Sequence, residues 1–229
     1  MTRPVRRVVR DNGLSLAFTG MFLLTLAGQS LVGHAQRNEE LAGHGAAAEP
    51  YLRYVSSSAF VVDVAENWQS EFLQFFMFIL ATVWLVQRGS PESKQPGDEG
   101  LGTDEEQLIG EYARDDSPAW ARVRGLRLWL LSNSLLLVMG TIFLLSWLAQ
   151  ALAGHRVANQ ESALHGEPAP SLAQYVASPE FWNRTLQNWQ SEFLAVAAMV
   201  TFSIYLRQRG SSESKPVGIP HHTTSVVAE

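Results

Sequence analysis

Two long stretches of this chain carry almost no charge, and they restrict its fold more than any other feature. Residues 128–154 contain no charged side chain, and residues 12–36 contain none except His34. Charge-free stretches longer than about 18 residues are typical of helices that cross a membrane. The sequence therefore predicts a polytopic membrane protein rather than a soluble domain.

The composition argues against several classes of protein. The chain has no Cys and a formal net charge of −5, so it forms no disulfide and offers no thiol for catalysis or metal binding. An acidic balance argues against a nucleic-acid partner. We find no phosphate-binding loop, dinucleotide fingerprint, nucleophile elbow or zinc-protease motif. We therefore expect no cofactor and no enzymatic activity.

The chain repeats itself at a constant offset of 121 residues. Residues 12–94 align without a gap to residues 133–215, and 35 of the 83 aligned pairs are identical. This identity predicts a tandem duplication. The best-conserved blocks between the copies are Asn-Trp-Gln-Ser-Glu-Phe-Leu (67–73 and 188–194), Arg-Gly-Ser-x-Glu-Ser-Lys (88–94 and 209–215) and a Gly-His to His-Gly segment (33–45 and 154–166).

The duplication sets the predicted organisation. Each copy contains two apolar segments, so we predict an all-α protein whose four transmembrane helices form two parallel tandem-repeat hairpins. The predicted boundaries are a basic N-terminus at 1–11, repeat 1 at 12–94 with spans at about 14–32 and 68–87, an acidic linker at 95–125, repeat 2 at 126–216 with spans at about 128–153 and 189–207, and a disordered tail at 217–229.

The distribution of positive charge predicts the orientation. Of the 17 Lys and Arg residues, only four lie in the long loops at 35–71 and 156–192. Lys and Arg are enriched on the cytoplasmic side of membranes, so we predict that both termini and the linker are cytoplasmic. The Arg-rich start resembles a signal peptide. Because the equivalent segment of the second copy is internal, we expect the first helix to be retained.

Local signals place helices in the long loops. Ser178-Pro179-Glu180 combines a capping residue, a Pro at the first helical position and an acid near the positive helix end. We therefore predict a helix that runs from about Ser178 into the fourth span, with a counterpart that starts near Ser57. Residues 172–176 are predicted to form a short interfacial piece.

A polar cluster is predicted where the two copies meet. A helix from Glu71 to Arg88 would rise about 25 Å, less than the ~30 Å hydrocarbon core. The carboxylates of Glu71 and its equivalent Glu192 would then lie at the outer boundary of the hydrocarbon core. There a carboxylate needs a bonding partner or must be protonated. The cluster serves either a proton or cation relay or helix packing. Its candidate members are Asn67, Glu71, Asn188, Glu192, Gln29 and Gln150.

Two further sets of residues are weaker candidates. Asp63 and Arg184 occupy equivalent positions with opposite charge, so they form a candidate ion pair between the copies. Acid and imidazole at helical i, i+4 spacing could hold a metal, but a Gly after each last His favours a helix C-terminus instead. We therefore predict no metal site. The metal candidates are His34, Glu40, His44, His155, Glu161 and His165.

The repeated blocks resemble those of an uncharacterised family of bacterial four-span membrane proteins, catalogued as a domain of unknown function. The resemblance covers nearly the whole chain outside residues 95–125 and the tail. It implies a multi-pass protein of the bacterial cytoplasmic membrane, and it brings no activity, cofactor or catalytic residue. The expected partners are the lipid bilayer and a second copy of the chain.

Three functions remain compatible with this sequence. The favoured interpretation is a structural or interaction-type helical bundle without enzymatic activity. The first alternative is a small proton or cation transporter in which Glu71 and Glu192 carry the ion, with Asn67 and Asn188 orienting them. The second is a membrane-embedded enzyme or an extracytoplasmic metal site built on the outer His residues.

Overall fold

The computed structural model describes residues 3–224, and within that range the chain is all-helical and contains no strand. The all-α prediction is thus confirmed. The eight α-helices are α1 (Arg3–Asp11), α2 (Gly13–Gly43), α3 (Tyr51–Val55), α4 (Ser58–Trp84), α5 (Leu126–Ser132), α6 (Ser134–His165), α7 (Leu172–Val176) and α8 (Pro179–Tyr205), and two 3₁₀ helices lie at Gly110–Tyr112 and Ala119–Arg122.

The two longest helices each begin after a break at an Asn. Asn12 (φ −123°) separates α1 from α2, and Asn133 (φ −115°) separates α5 from α6. Each Asn side chain donates a hydrogen bond to the carbonyl four residues earlier, at 3.0 Å to Val8 and 2.8 Å to Trp129. An Asn that bonds its own backbone in this way competes with regular helix. The same local break therefore occurs at equivalent positions of both copies.

The starts of α4 and α8 agree with the prediction. The hydroxyl oxygens of Ser57 and Ser178 accept hydrogen bonds from the backbone N–H groups of Phe60 and Phe181, each at 3.3 Å. This is the normal capping geometry for Ser at a helix start. The short piece predicted at residues 172–176 is the helix α7, and Ser171 caps it.

The ends of α4 and α8 differ from the prediction, which placed them at about 87 and 207. The chain becomes extended at Leu85 (φ −102°, ψ 137°) and Leu206 (φ −92°, ψ 158°). The N–H of Gln87 donates to Ser93 Oγ at 2.7 Å rather than to a helical carbonyl. The depth of Glu71 calculated for a continuous helix to Arg88 was therefore wrong, because the last residues of that stretch are not helical.

The packing places α4 at the centre of the molecule. It runs along α6 and also packs against α8, so the main contact lies between the two copies. A separate core forms where α6, α7 and α8 meet, built from Ala158, Tyr175 and Phe181 and flanked by Trp147. The hydroxyl of Tyr175 lies so close to Gly154 that a methyl group there would overlap it. Glycine is needed at this crossing.

The linker is more ordered than an unstructured tether. It contains both 3₁₀ helices, and Ala121 is buried. The N–H of Gly100 donates to Val83 O at 2.7 Å, which fastens the start of the linker to the end of α4. Physically, the many Gly residues permit turns with positive φ, such as that at Gly100 (φ 106°).

The predicted disordered tail is not observed over residues 217–224. The Lys215 ammonium, which is buried, donates hydrogen bonds to the carbonyl oxygens of His221 and Thr223, each at 3.0 Å. These bonds fold the segment into turns against the rest of the chain. Residues 225–229, which belong to the same prediction, lie outside the described range.

Candidate functional site

The predicted polar cluster does not assemble as six residues. Asn67, Glu71 and Gln29 are exposed, and Asn188 and Glu192 are half-buried. Only Gln150 is fully buried, with 0% of its surface exposed. The side chain of Asn67 donates to its own helix, at Asp63 O (2.8 Å), instead of orienting Glu71. The prediction was wrong because Glu71 lies on the face of α4 opposite the buried positions.

The charge of Glu71 nevertheless acts on the carboxyl group of Glu192. The side chain of Asn188 donates to Arg184 O (3.0 Å), just as the equivalent Asn67 donates to Asp63 O. The two acids thus lack the amide partners that the sequence suggested.

A different set of polar side chains fills the interior. Gln69, which is 0% exposed, accepts a hydrogen bond from Trp189 Nε1 at 2.7 Å. The amide of Gln150 donates to Thr185 Oγ1 at 3.4 Å. These bonds join α4 to α8 and α6 to α8. Amide and hydroxyl groups that bond across helices stabilise packing in an apolar medium. The signal in the sequence was the apolar spacing Val62, Ala65, Gln69, Leu73, which places Gln69 on the inner face.

Three buried polar atoms on α6 have no protein partner within residues 3–224, and two of them lie near the middle of the helix. These are the Oε1 acceptor of Gln150 and the Nε1 donor of Trp147, one turn apart on the helix. A buried polar group without a hydrogen bond is costly. The pair offers one acceptor and one donor, which a single buried water could satisfy.

One ion pair joins the two copies. Arg184 Nη1 of α8 lies 3.2 Å from Glu66 Oε2 of α4. Sequence reasoning chose Arg184 correctly but paired it with Asp63, one helical turn away from the actual partner. The side chain of Arg184 is long enough to reach either acid. It bonds Glu66, while Asp63 is near enough to feel its charge.

His34 and His155 hold the loops that follow α2 and α6 in place by hydrogen bonds to backbone carbonyls. His34 Nε2 lies 2.6 Å from Glu49 O, and His155 Nε2 lies 2.8 Å from Pro170 O. A carbonyl oxygen can only accept, so these two hydrogen bonds require the imidazole proton on Nε2. The second His of each loop bonds its own helix, at Glu40 O for His44 (2.8 Å) and at Glu161 O for His165 (2.9 Å).

The six metal candidates therefore do not converge. Their imidazoles bond separate backbone carbonyls. Among the residues that the structure describes, no group of three or more His, Cys, Asp or Glu side chains could hold a metal ion.

The hydrogen bonding that holds the loops after α2 and α6 in place differs between the copies by one bond. In repeat 1, Asn38 Oδ1 accepts from the N–H of Glu49 at 2.7 Å. In repeat 2 the residue equivalent to Glu49 is Pro170, which has no N–H. The equivalent acceptor, Asn159 Oδ1, is accordingly buried without a partner.

The Arg-Gly-Ser-x-Glu-Ser-Lys blocks form matching turns at the opposite end of the molecule. Gly89 (φ 91°) and Gly210 (φ 87°) both take the left-handed conformation that favours glycine. The N–H of Glu92 donates to Ser90 Oγ (3.2 Å), and the N–H of Glu213 donates to Ser211 Oγ (3.1 Å). The recurrence of the block thus corresponds to a specific turn.

These two turns contact each other. The Lys215 ammonium donates to Gly89 O, and Ser90 Oγ lies 3.3 Å from Ser203 Oγ. Burial raises the pKa of the Glu92 carboxyl above its ordinary value, and the adjacent Glu213 carboxyl adds to the shift. Two equivalent acids therefore face each other at this end as well.

An open cavity of about 540 Å³ lies between α4 and α8. Its walls are mostly apolar, and Gln74, Gln87 and Glu92 supply polar groups. The cavity lies between the two helices that carry Glu71 and Glu192. It could admit an apolar chain or a few water molecules more readily than a hydrated ion.

These features define an all-helical protein, two of whose described helices, α2 and α6, are long and apolar enough to cross a membrane. The chain belongs to a family described as a domain of unknown function (DUF6766), whose model matches residues 5–226. This agrees with the expected membership of a family without an assigned activity. No curated protein and no solved structure matches the chain.

Proposed function

We propose that this protein is an integral membrane protein with four spans, whose role is structural or interaction-based rather than enzymatic. One observation carries the proposal: the long apolar helices are not buried in the protein. Only 6% of the most apolar window of α2 and 17% of that of α6 are buried. A helix that is apolar and unburied requires an apolar solvent.

The second helix of each copy completes the proposed hairpins. α4 and α8 are also long, but polar residues such as Asn67, Gln69 and Glu71 interrupt their apolar stretch. Their membrane portions are proposed to run from Trp68 to Trp84 and from Trp189 to Tyr205, since aromatic residues favour both membrane boundaries. Each portion would rise about 24 Å, and in the first of them Gln69 and Ser70 are buried inside the bundle.

The hydrogen bonds of the interior support a packing role. Hydrogen bonds between neutral side chains join different helices: Gln69 of α4 bonds Trp189 of α8, and Gln150 of α6 bonds Thr185 of α8. In a bilayer, such bonds hold helices together because apolar surface provides no drive for association. The copies would be related by duplication, both termini would be cytoplasmic, and the protein would reside in a bacterial inner membrane.

A topology experiment tests this proposal. Reporter fusions at residue 100 and at the C-terminus should both report the cytoplasm, while fusions at Ala47 and Pro168, in the loops before α3 and α7, should report the outside. The chain should also stay in the membrane fraction when membranes are washed with alkaline carbonate. A fusion at residue 100 that reports the outside, or removal of the chain by carbonate, would contradict the four-span architecture.

The second candidate is transport of protons or monovalent cations. The charge interaction between Glu71 and Glu192 favours it. Two such acids can bind and release a cation when water reaches them. Neither acid lines the cavity between α4 and α8, and its mostly apolar walls oppose free passage, so any flux would depend on the two carboxylates.

Flux into liposomes separates these two candidates. If the bundle is structural, the purified protein and the double variant Glu71→Gln, Glu192→Gln should show the same background flux of protons and of potassium. The matched control is Glu39→Gln, which removes an exposed carboxylate on α2 far from the pair. Flux that is lost in the double variant and retained in Glu39→Gln would replace the structural role with transport.

A further inference from the structure

The main contact between the two copies is one-sided. α4 of repeat 1 runs along α6 of repeat 2. The equivalent contact would join α8 to α2, since each of these lies 121 residues from its counterpart. Over residues 3–224, α8 and α2 do not run along each other. The repeats are thus not related by a closed twofold axis, which would form both contacts at once.

The buried face of α4 has an exposed counterpart on α8. The five positions that α4 buries are Val62, Ala65, Gln69, Ser70 and Leu73. All five equivalents on α8 are exposed, although three carry the same residue type: Asn183, Leu186, Gln190, Ser191 and Leu194. The same Gln-Ser-x-x-Leu surface is therefore covered on one helix and open on the other.

Part of the buried face of α6 also has an exposed counterpart on α2. α6 buries five residues, among them Ser146, Gln150 and Ala153. The equivalents of these three on α2 are Thr25, Gln29 and Val32, and all three are exposed. A hydroxyl, an amide and an aliphatic side chain recur in the same order. Residues that are buried on α4 and α6 thus have open counterparts on α8 and α2.

We propose that a second copy of this chain supplies the partner, so that α2 of one copy packs along α8 of the next in the way that α6 packs along α4. This proposal rests on the proposed interaction-type role in the membrane and names the partner of that role. If each copy offers α2 and α8 to the same partner, the contact closes as a twofold dimer. If it offers them to two different partners, the contact is heterologous and builds a larger ring or a longer chain of copies.

The apolar solvent strengthens this proposal. The exposed amides of Gln29 and Gln190 would be left without protein partners on surfaces that face lipid. In such a medium a polar side chain favours a hydrogen bond across helices. Their equivalents, Gln150 and Gln69, do bond across helices within the chain. Packing of α2 along α8 of another copy would move both amides out of lipid and into a helix–helix interface, which lipid does not offer.

The absence of Cys allows a direct cross-linking test. Phe76 of α4 contacts the position of Gly140 on α6, where an added Cβ would lie 3.0 Å from the Phe ring. The equivalent residues are Ala197 on α8 and Thr19 on α2, and both are exposed. Two differently tagged chains, one Thr19→Cys and the other Ala197→Cys, are expressed together. Their membranes are treated with a short bifunctional thiol reagent.

The expected product is a species that carries both tags at twice the 25.3 kDa mass of the chain. Its yield should exceed at least tenfold that of a control in which Leu145→Cys, exposed on the outer side of α6, replaces Thr19→Cys. The double variant Phe76→Cys, Gly140→Cys should link within one chain and stay at monomer mass.

The outcomes separate the two proposals. If the Phe76–Gly140 link forms but the Thr19–Ala197 link stays at the Leu145 level, self-association through α2 and α8 is wrong, while the membrane bundle stands. Equal yields from the Thr19–Ala197 and Leu145–Ala197 pairs would likewise overturn the proposed self-association, because the contact between chains would then be unspecific. If carbonate removes the chain from membranes, the proposed function itself fails, whatever links appear.

Discussion

Replacing Phe181 with Ala is expected to lower the free energy of unfolding by about 3–5 kcal/mol, the range for a fully buried aromatic side chain. Phe181 is 1% exposed, and its ring lies 5.7 Å from that of Tyr175 and 6.2 Å from that of Trp147, measured between centroids. The cavity left by the missing ring cannot close easily, because α6, α7 and α8 all converge there. Thermal or denaturant unfolding in detergent measures the loss.

The equivalent residue of repeat 1 is the matched control for this variant. Phe60 is half-buried, and Tyr54 is its ring neighbour at 5.5 Å. Phe60→Ala should therefore cost clearly less than Phe181→Ala. Equal losses from the two variants would show that the core at α7 is not the better packed of the two.

Leu73→Ala is expected to destabilise the protein by about 2–5 kcal/mol, whereas Leu194→Ala should change the stability of a single chain by less than about 0.5 kcal/mol. The two residues end the same seven-residue motif. Leu73 is 8% exposed and Leu194 is 67% exposed. The difference in burial alone separates the expected effects, because the local sequence is the same.

The measurement follows unfolding of both variants at a chain concentration low enough to keep the protein monomeric. A loss for Leu194→Ala that appears only at higher concentration would reflect self-association instead. Similar losses at low concentration would show that α8 buries its Gln-Ser-x-x-Leu face within the single chain, contrary to the described packing.

Much of the local structure followed from the sequence. Ser57 and Ser178 cap helices because short hydroxyl side chains bond the free N–H groups of the first turn, a rule that needs no tertiary context. Signals of this kind act within a few residues, so they are legible in one chain.

The interior was harder to predict, and the repeated motif shows why. Asn67, Gln69, Ser70 and Glu71 place polar groups around most of the circumference of α4, so polarity alone does not indicate the inner face. The twin motif on α8 meets different surroundings, since Gln69 is buried and Gln190 is exposed. Identical residues with opposite environments cannot be told apart from local sequence. Only the packing of α6 on α4 decides between them.

The contact between the turn after α4 and the end of the chain has a consequence for biosynthesis. The backbone N–H of Gly89 donates to Thr224 Oγ1 at 3.0 Å, and its carbonyl accepts from Lys215, so these partners are 135 and 126 residues apart in the sequence. Chains are made from the N-terminus at about 5–20 residues per second. The first copy must therefore wait many seconds, with its Gly89 turn open, until Lys215 and Thr224 have been made and can bond it.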